Sequence, residues 1–197
     1  MVLNAIRHPY YKSIYSKIIN NSSVWGLISD LNKRYYVNKF GESPQHASAK
    51  KLEKSIPEWS NYTKFCVVRN PWDKTVSDYL WRTRSMVSPP NFDEYLSNLF
   101  RGKDLNGIIP NNHDNWNMYT IKDKVCIDNV VRFENLSSDL DRVLNSQLGI
   151  GWDGWLPHAK KMNKKIRPSY RKFYNKEQSQ MLYDFYSKEI NYFGYEF

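Results

Sequence analysis

The stretch FCVVRNPWDKTVSDYLW, residues 65–81, constrains the fold more than any other part of the chain. Four apolar residues lead into Arg69, and Asn70-Pro71 then opens a segment with helical spacing. A short apolar run bounded by turn residues is typical of a parallel strand covered on both faces. Asn70 suits a helix N-cap, Pro71 suits the first helical position, and Asp73 complements the positive end of the helix dipole. We therefore predict a buried strand followed directly by a helix.

Comparable patterns predict the other elements. The expected strands are 11–19, 63–69 and 124–133, and the expected helices are 24–36, 45–56, 71–85, 91–100, 137–149 and 176–189, with caps at Ser137 or Ser138 and at Asn175. Strands that alternate with helices favour an α/β fold in which helices flank a parallel sheet. Because no repeat or linker divides the chain, we predict a single domain over residues 1–197.

Ligands of such sheets bind beyond the carboxyl ends of the strands. Arg69 would stand at such an end, and Ser77, two turns into the next helix, would point its hydroxyl back towards it. A guanidinium beside a serine donor matches a phosphate group. The alternative is that Arg69 forms an ion pair with Glu134 or Asp73 while Ser77 only packs.

The charge balance supports an anionic partner. Lysine and arginine number 29 against 20 acidic residues, a formal net charge of +9, although such an excess also serves solubility alone. Nucleic acid is a further alternative, but no known nucleic-acid-binding motif is present. The kinase signature G-x-x-x-x-G-K-[ST] is absent too.

Cysteine content and hydrophobic pattern also indicate the cellular compartment of the protein. Cys66 and Cys126 are the only cysteines, too few for a disulfide framework. The chain shows no signal-peptide pattern and no apolar stretch of about 18 residues. We expect a cytoplasmic protein without a membrane partner. No histidine–cysteine spacing indicates a metal site.

Several segments together resemble sulfotransferases that use 3′-phosphoadenosine 5′-phosphosulfate (PAPS). Residues 65–81 resemble their 3′-phosphate-binding segment. The stretches QHASAKKLEKSI, NWNMYTI, VVRFENL, DLDRVLNSQLGI, LPHAKK and the ending YRKFYNKEQSQMLYDFYSKEINYFGYEF also resemble, in order, the family that includes heparan- and chondroitin-type carbohydrate sulfotransferases and bacterial relatives. The resemblance covers 45–197. It implies a P-loop-NTPase-like sulfotransferase fold in which Arg69 and Ser77 bind the 3′-phosphate of the cofactor.

This family also carries a 5′-phosphosulfate loop of the type Pro-Lys-Thr-Gly-Gly-Thr-Ser after its first strand. The corresponding stretch here is KIINNSSVWGLI, in which two asparagines replace the glycines and isoleucine occupies the lysine position. Asparagine tolerates left-handed backbone better than most residues. The resemblance assigns the cofactor, besides Arg69 and Ser77, to Asn20, Asn21, Ser22 and Ser23. Lys17, or a basic residue of the loop 160–172 such as Lys165 or Arg167, would replace the lysine, unless that loop is only a solvated surface.

In-line sulfuryl transfer needs a base for the acceptor hydroxyl. His46 resembles the family's histidine before the central strand and is the candidate, with His113 and His158 as alternatives. The acceptor would be a hydroxyl of a carbohydrate or a small molecule, and no metal would be needed. The alternative function is a sulfotransferase-like nucleotide-binding protein with weak or no transfer, because its first loop is altered.

Overall fold

The computed structural model describes residues 47–56, 58–102, 114–156 and 168–197. Within them the chain mixes helices with short strands and contains a small parallel sheet, which confirms the coarse fold class. The described residues fall into two compact units, one with those of 47–56, 58–67 and 117–130, the other with those of 68–102, 114–116, 131–156 and 168–197. Among the described helices, none combines the length and apolar character that a membrane span requires.

The seven described α-helices are α1 (Ala49–Ser55), α2 (Pro71–Thr83), α3 (Phe92–Arg101), α4 (Trp116–Tyr119), α5 (Leu136–Asp141), α6 (Lys176–Phe185) and α7 (Ser187–Phe193). The described strands are β1 (Phe65–Val68), β2 (Thr120–Ile121), β3 (Lys124–Val125) and β4 (Asn129–Arg132). Short 3₁₀ turns occupy Trp59–Asn61, Phe133–Asn135 and Tyr170–Phe173, and a π-helix occupies Arg142–Gln147.

The central strand agrees with its prediction. The predicted strand at 63–69 is β1, which pairs with β4 in the parallel sheet. The predicted helix follows at once as α2, with Asn70 as N-cap and Pro71 in the first turn, and it ends two residues before the expected Ser85. The strand and the helix cap are therefore confirmed.

The single strand predicted at 124–133 is wrong. β3 pairs antiparallel with β2 across a turn at Lys122 and Asp123, whereas β4 pairs with β1. Between β3 and β4 the chain changes partner, and the N–H groups of Asp128 and Asn129 both donate to the Lys64 carbonyl, at 2.9 and 3.0 Å. Apolar pattern alone does not show that one run serves two sheets.

Two predicted helices also differ from the structure. The helix predicted from Ser137 begins at Leu136, and the Ser138 hydroxyl donates to the Asn135 carbonyl at 3.0 Å instead of capping. The reciprocal capping box of Asn175 and Gln178 is confirmed, but the helix it starts stops at Phe185, and α7 follows as a separate helix.

The core of the larger unit holds α2 in place. Its members are the buried residues Trp72, Val76, Phe92, Tyr95, Leu96, Leu99, Leu182, Tyr186 and Ile190. They come from α2, α3, α6, α7 and the junction between α6 and α7, at the spacing of apolar helix faces. The Trp72 indole also donates to the Ser179 carbonyl at 3.0 Å. Trp72 is therefore a core residue, which leaves the opposite side of α2 for polar contacts.

Candidate functional site at the end of the central strand

Arg69 and Ser77 meet at the carboxyl end of β1. Arg69 Nη1 donates to Ser77 Oγ at 3.2 Å, so the structure brings together the two side chains that the sequence placed in one site. Both residues are half-buried. Within the described part of the chain, the Ser77 hydroxyl accepts this bond and donates none of its own.

Asp73 is the ion-pair partner of Arg69. Arg69 Nε and Nη2 lie 2.7 and 2.6 Å from Asp73 Oδ2, and the two side chains stay 20% and 22% exposed. The ion pair offered as the alternative is thus present, with Asp73 and not with Glu134. A guanidinium carries five N–H donors. Three take part in the bonds to Asp73 and Ser77, and among the described residues the other two, one on each terminal nitrogen, have no further partner.

An aromatic ring lies against the same guanidinium. Its carbon Cζ is 4.3 Å from the centroid of the Phe133 ring, within the range of a cation–π contact. The Phe133 side chain is 46% exposed. Asp73, Ser77 and Phe133 therefore orient Arg69 without any ligand.

The helix N-terminus of α2 does not offer the N–H groups that its dipole would suggest. Asn70 Oδ1 accepts from the N–H groups of Trp72 and Asp73, at 3.0 and 3.3 Å, and the Asn70 carbonyl accepts from Lys74 at 2.8 Å. Pro71 has no N–H. Because the cap uses these N–H groups, the donors that the described residues leave at this end of α2 are side chains.

Glu134, which follows β4, connects the ends of β4 and β1 because its side chain accepts a backbone N–H just after β1. Its Oε1 accepts from the Asn70 N–H at 2.7 Å, and its Oε2 accepts from the Tyr195 hydroxyl at 3.4 Å. Burial, then the negative Glu134, raises the pKa of Tyr195. Arg132 donates to the Phe193 carbonyl and lies over the Tyr195 ring.

A second cation on α2 was missed by sequence reasoning. Lys74 Nζ lies 3.1 Å from Glu189 Oε2, and both side chains are almost fully buried. Burial lowers the pKa of Lys74, against the opposing effect of Glu189. Glu189 Oε1 also accepts from the Asn115 N–H at 3.2 Å. No local sequence motif predicts this ion pair, because Lys74 and Glu189 are 115 positions apart in the chain.

The remaining predicted site residues lie outside the described part of the chain. They are Lys17, Asn20, Asn21, Ser22, Ser23, His46, Lys165 and Arg167, and the alternative bases His113 and His158. The predicted strand 11–19 and helix 24–36 lie outside it as well. Among the described histidine, cysteine and acidic residues, no group is placed to hold a metal ion.

No protein-family model, no curated protein and no solved structure matches this chain. The resemblance to sulfotransferases therefore stays a prediction that rests on the quoted motifs.

Proposed function

We propose that the protein is a sulfotransferase of the P-loop-NTPase-like fold that moves a sulfuryl group from PAPS to a hydroxyl of a carbohydrate or small molecule. The observation that supports this most is the convergence of Arg69 and Ser77 at the carboxyl end of a parallel strand. That is where α/β folds bind ligands, and the donor pair suits a phosphoryl group.

In this proposal the 3′-phosphate meets three donors. Two are the remaining N–H groups of Arg69, and the third is the Ser77 hydroxyl. Asp73 keeps the guanidinium in place but neutralises much of its charge. Further positive charge for the dianion would come from Lys165 and Arg167 of the basic loop.

Transfer needs three further events. The acceptor hydroxyl attacks sulfur in line while the bond from sulfur to the 5′-phosphate oxygen breaks. His46 takes the acceptor proton, and Lys17 neutralises the leaving oxygen. Residues 20–23 hold the 5′ side of the donor with backbone N–H groups.

A transfer assay tests the proposal. With ³⁵S-labelled PAPS and a panel of glycans and phenols, the wild type is expected to label at least one acceptor. At PAPS concentrations below KM, Arg69→Ala is expected to lose about a hundredfold in rate, because the charge-assisted hydrogen bonds to the donor are lost. Arg82→Ala is the matched control. It also removes an arginine that pairs with an aspartate four residues away on α2, at 2.7 Å, and should keep the rate.

The altered first loop favours one alternative, a binder that transfers poorly. Tight binding of 3′-phosphoadenosine 5′-phosphate without label on any acceptor would support this second function. Absence of both binding and transfer would refute both.

A further inference from the structure

The turn between β1 and α2 carries more contacts than a helix cap needs. Asn70 is 8% exposed, and its side-chain carbonyl already caps α2. Its Nδ2 also donates to the Glu196 carbonyl at 3.0 Å, and its backbone N–H donates to Glu134. Capping explains the first contact only, so the others hold the turn itself.

The hydrogen bond from the Asn70 N–H to Glu134 lies directly next to Arg69 in the chain. The N–H of Asn70 belongs to the peptide plane that joins Arg69 to Asn70, so the Glu134 carboxylate fixes the plane from which the Arg69 side chain departs. A rotation of this plane would move the guanidinium away from Ser77. In an active site, a misplacement of about 1 Å can cost on the order of a hundredfold in reaction rate.

We propose that Glu134 is a positioning residue of the phosphate site, which acts through the Asn70 backbone to hold Arg69 towards Ser77. This inference rests on the proposed function, since it takes the ligand to be a 3′-phosphorylated nucleotide. Glu134 itself does not touch the ligand.

A role of Glu134 through its charge and a role through positioning predict opposite changes in affinity for the 3′-phosphate when Glu134 is removed. A carboxylate near a phosphate repels it, so if Glu134 acted through its charge alone, its removal would strengthen binding. If Glu134 positions Arg69, removing its side chain weakens binding despite the relief of repulsion. Glutamine separates the two effects, because it removes the charge and keeps an oxygen that accepts from the Asn70 N–H.

The test is the ratio of dissociation constants for 5′-AMP and 3′-phosphoadenosine 5′-phosphate, measured by calorimetry on the full chain. This ratio isolates the 3′-phosphate. Glu134→Ala is expected to lower it about tenfold, and Glu134→Gln to leave it within about threefold of the wild type. A ratio that Glu134→Ala leaves unchanged or raises would overturn the inference.

Asp139→Ala is the matched control for general loss of stability. Asp139 Oδ2 accepts a backbone N–H, that of Arg132, at 2.7 Å, the distance seen for Glu134, but it makes no contact with Asn70. Its removal should keep the wild-type ratio; an equal fall in the control would overturn the positioning role.

Glu134→Asp decides the matter if Glu134→Ala does not fold. Aspartate keeps the negative charge but is one methylene shorter, so its carboxylate no longer reaches the Asn70 N–H. If Glu134 positions Arg69, the ratio of dissociation constants should therefore fall in Glu134→Asp and stay near the wild-type value in Glu134→Gln. The reverse result, a preserved ratio in Glu134→Asp and a lowered one in Glu134→Gln, would contradict the inference.

If the wild type itself does not prefer the 3′-phosphorylated nucleotide, the proposed function fails as well. If it does and all Glu134 variants keep the preference, only the inference fails.

Discussion

At the scale of single residues, Asn70 links the candidate site to the rest of its unit. Its backbone N–H, its carbonyl, Oδ1 and Nδ2 all take part in hydrogen bonds. Asparagine is the residue for this position because it both accepts and donates through one side chain. Aspartate caps helices equally well but cannot donate.

Asn70→Asp therefore separates capping from anchoring. The cap survives, while the bond to the Glu196 carbonyl is replaced by two facing acceptors, so we expect a loss of about 2 kcal/mol in the free energy of unfolding. Urea denaturation measures it. Asn91→Asp, at the exposed cap of α3, is the control and should change stability by less than about 0.5 kcal/mol. Equal losses in both variants would refute the anchoring role.

Ser77→Ala tests the other half of the donor pair. The variant removes one half-buried hydroxyl, so the free energy of unfolding should fall by no more than about 1 kcal/mol. If Ser77 contacts the phosphate, affinity for 3′-phosphoadenosine 5′-phosphate should fall about fivefold to tenfold, while affinity for 5′-AMP stays constant. Ser138→Ala is the control, because the hydroxyl of this α5 serine donates to the Asn135 carbonyl three residues before it. A Ser77→Ala variant with unchanged affinity would place the ligand elsewhere.

At the scale of elements, the β2–β3 hairpin depends on an unfavourable turn. Lys122 and Asp123 have φ of 51° and 62°, the left-handed region that two-residue hairpin turns require. Lysine is poorly suited to this region, whereas asparagine tolerates it.

Lys122→Asn should accordingly stabilise the hairpin. We expect a gain of about 0.5 kcal/mol in the free energy of unfolding by urea denaturation, because asparagine adopts left-handed backbone at lower cost. Lys124→Asn, in β3 itself, lacks positive φ and should be neutral or destabilising. The turn would not limit stability if both variants behaved alike.

Local chemistry explains which elements could be predicted. Strand β1, the Asn70 cap and the Asn175 capping box each follow from neighbouring residues. The division of 124–133 and the end of α6 at Phe185 depend on partners distant in sequence, which a single sequence does not show. The partner of Arg69 is an intermediate case. The sequence indicates Asp73, four residues after Arg69, as one of two possible partners, and the structure shows that Asp73 and not Glu134 forms the ion pair.

At the scale of the whole molecule, one buried and three half-buried tyrosines couple stability to pH. Burial is the main cause that raises the pKa of Tyr79, Tyr95, Tyr174 and Tyr195 above the ordinary value near 10. At pH values above about 10 the unfolded chain loses these protons first, so stability that is fully present below this pH is lost above it. Lys74, whose pKa is lowered, has the opposite effect at lower pH: its contribution to stability rises as pH rises.

The free energy of unfolding should therefore fall steeply between about pH 10 and 11. Tyr174→Phe should flatten the fall, because it removes a group whose pKa differs between the folded and unfolded states, at the cost of its bond to the Trp72 carbonyl. Urea denaturation across this range measures the slope. A slope that the variant leaves unchanged would contradict the contribution of Tyr174.

The most direct test of the central claim is a calorimetric comparison of 3′-phosphoadenosine 5′-phosphate with 5′-AMP on the wild type and on Arg69→Ala. If Arg69 and Ser77 receive the 3′-phosphate, the wild type binds the 3′-phosphorylated nucleotide about ten- to a hundredfold more tightly, and Arg69→Ala loses that preference. Equal affinities of the wild type for the two nucleotides would contradict the account.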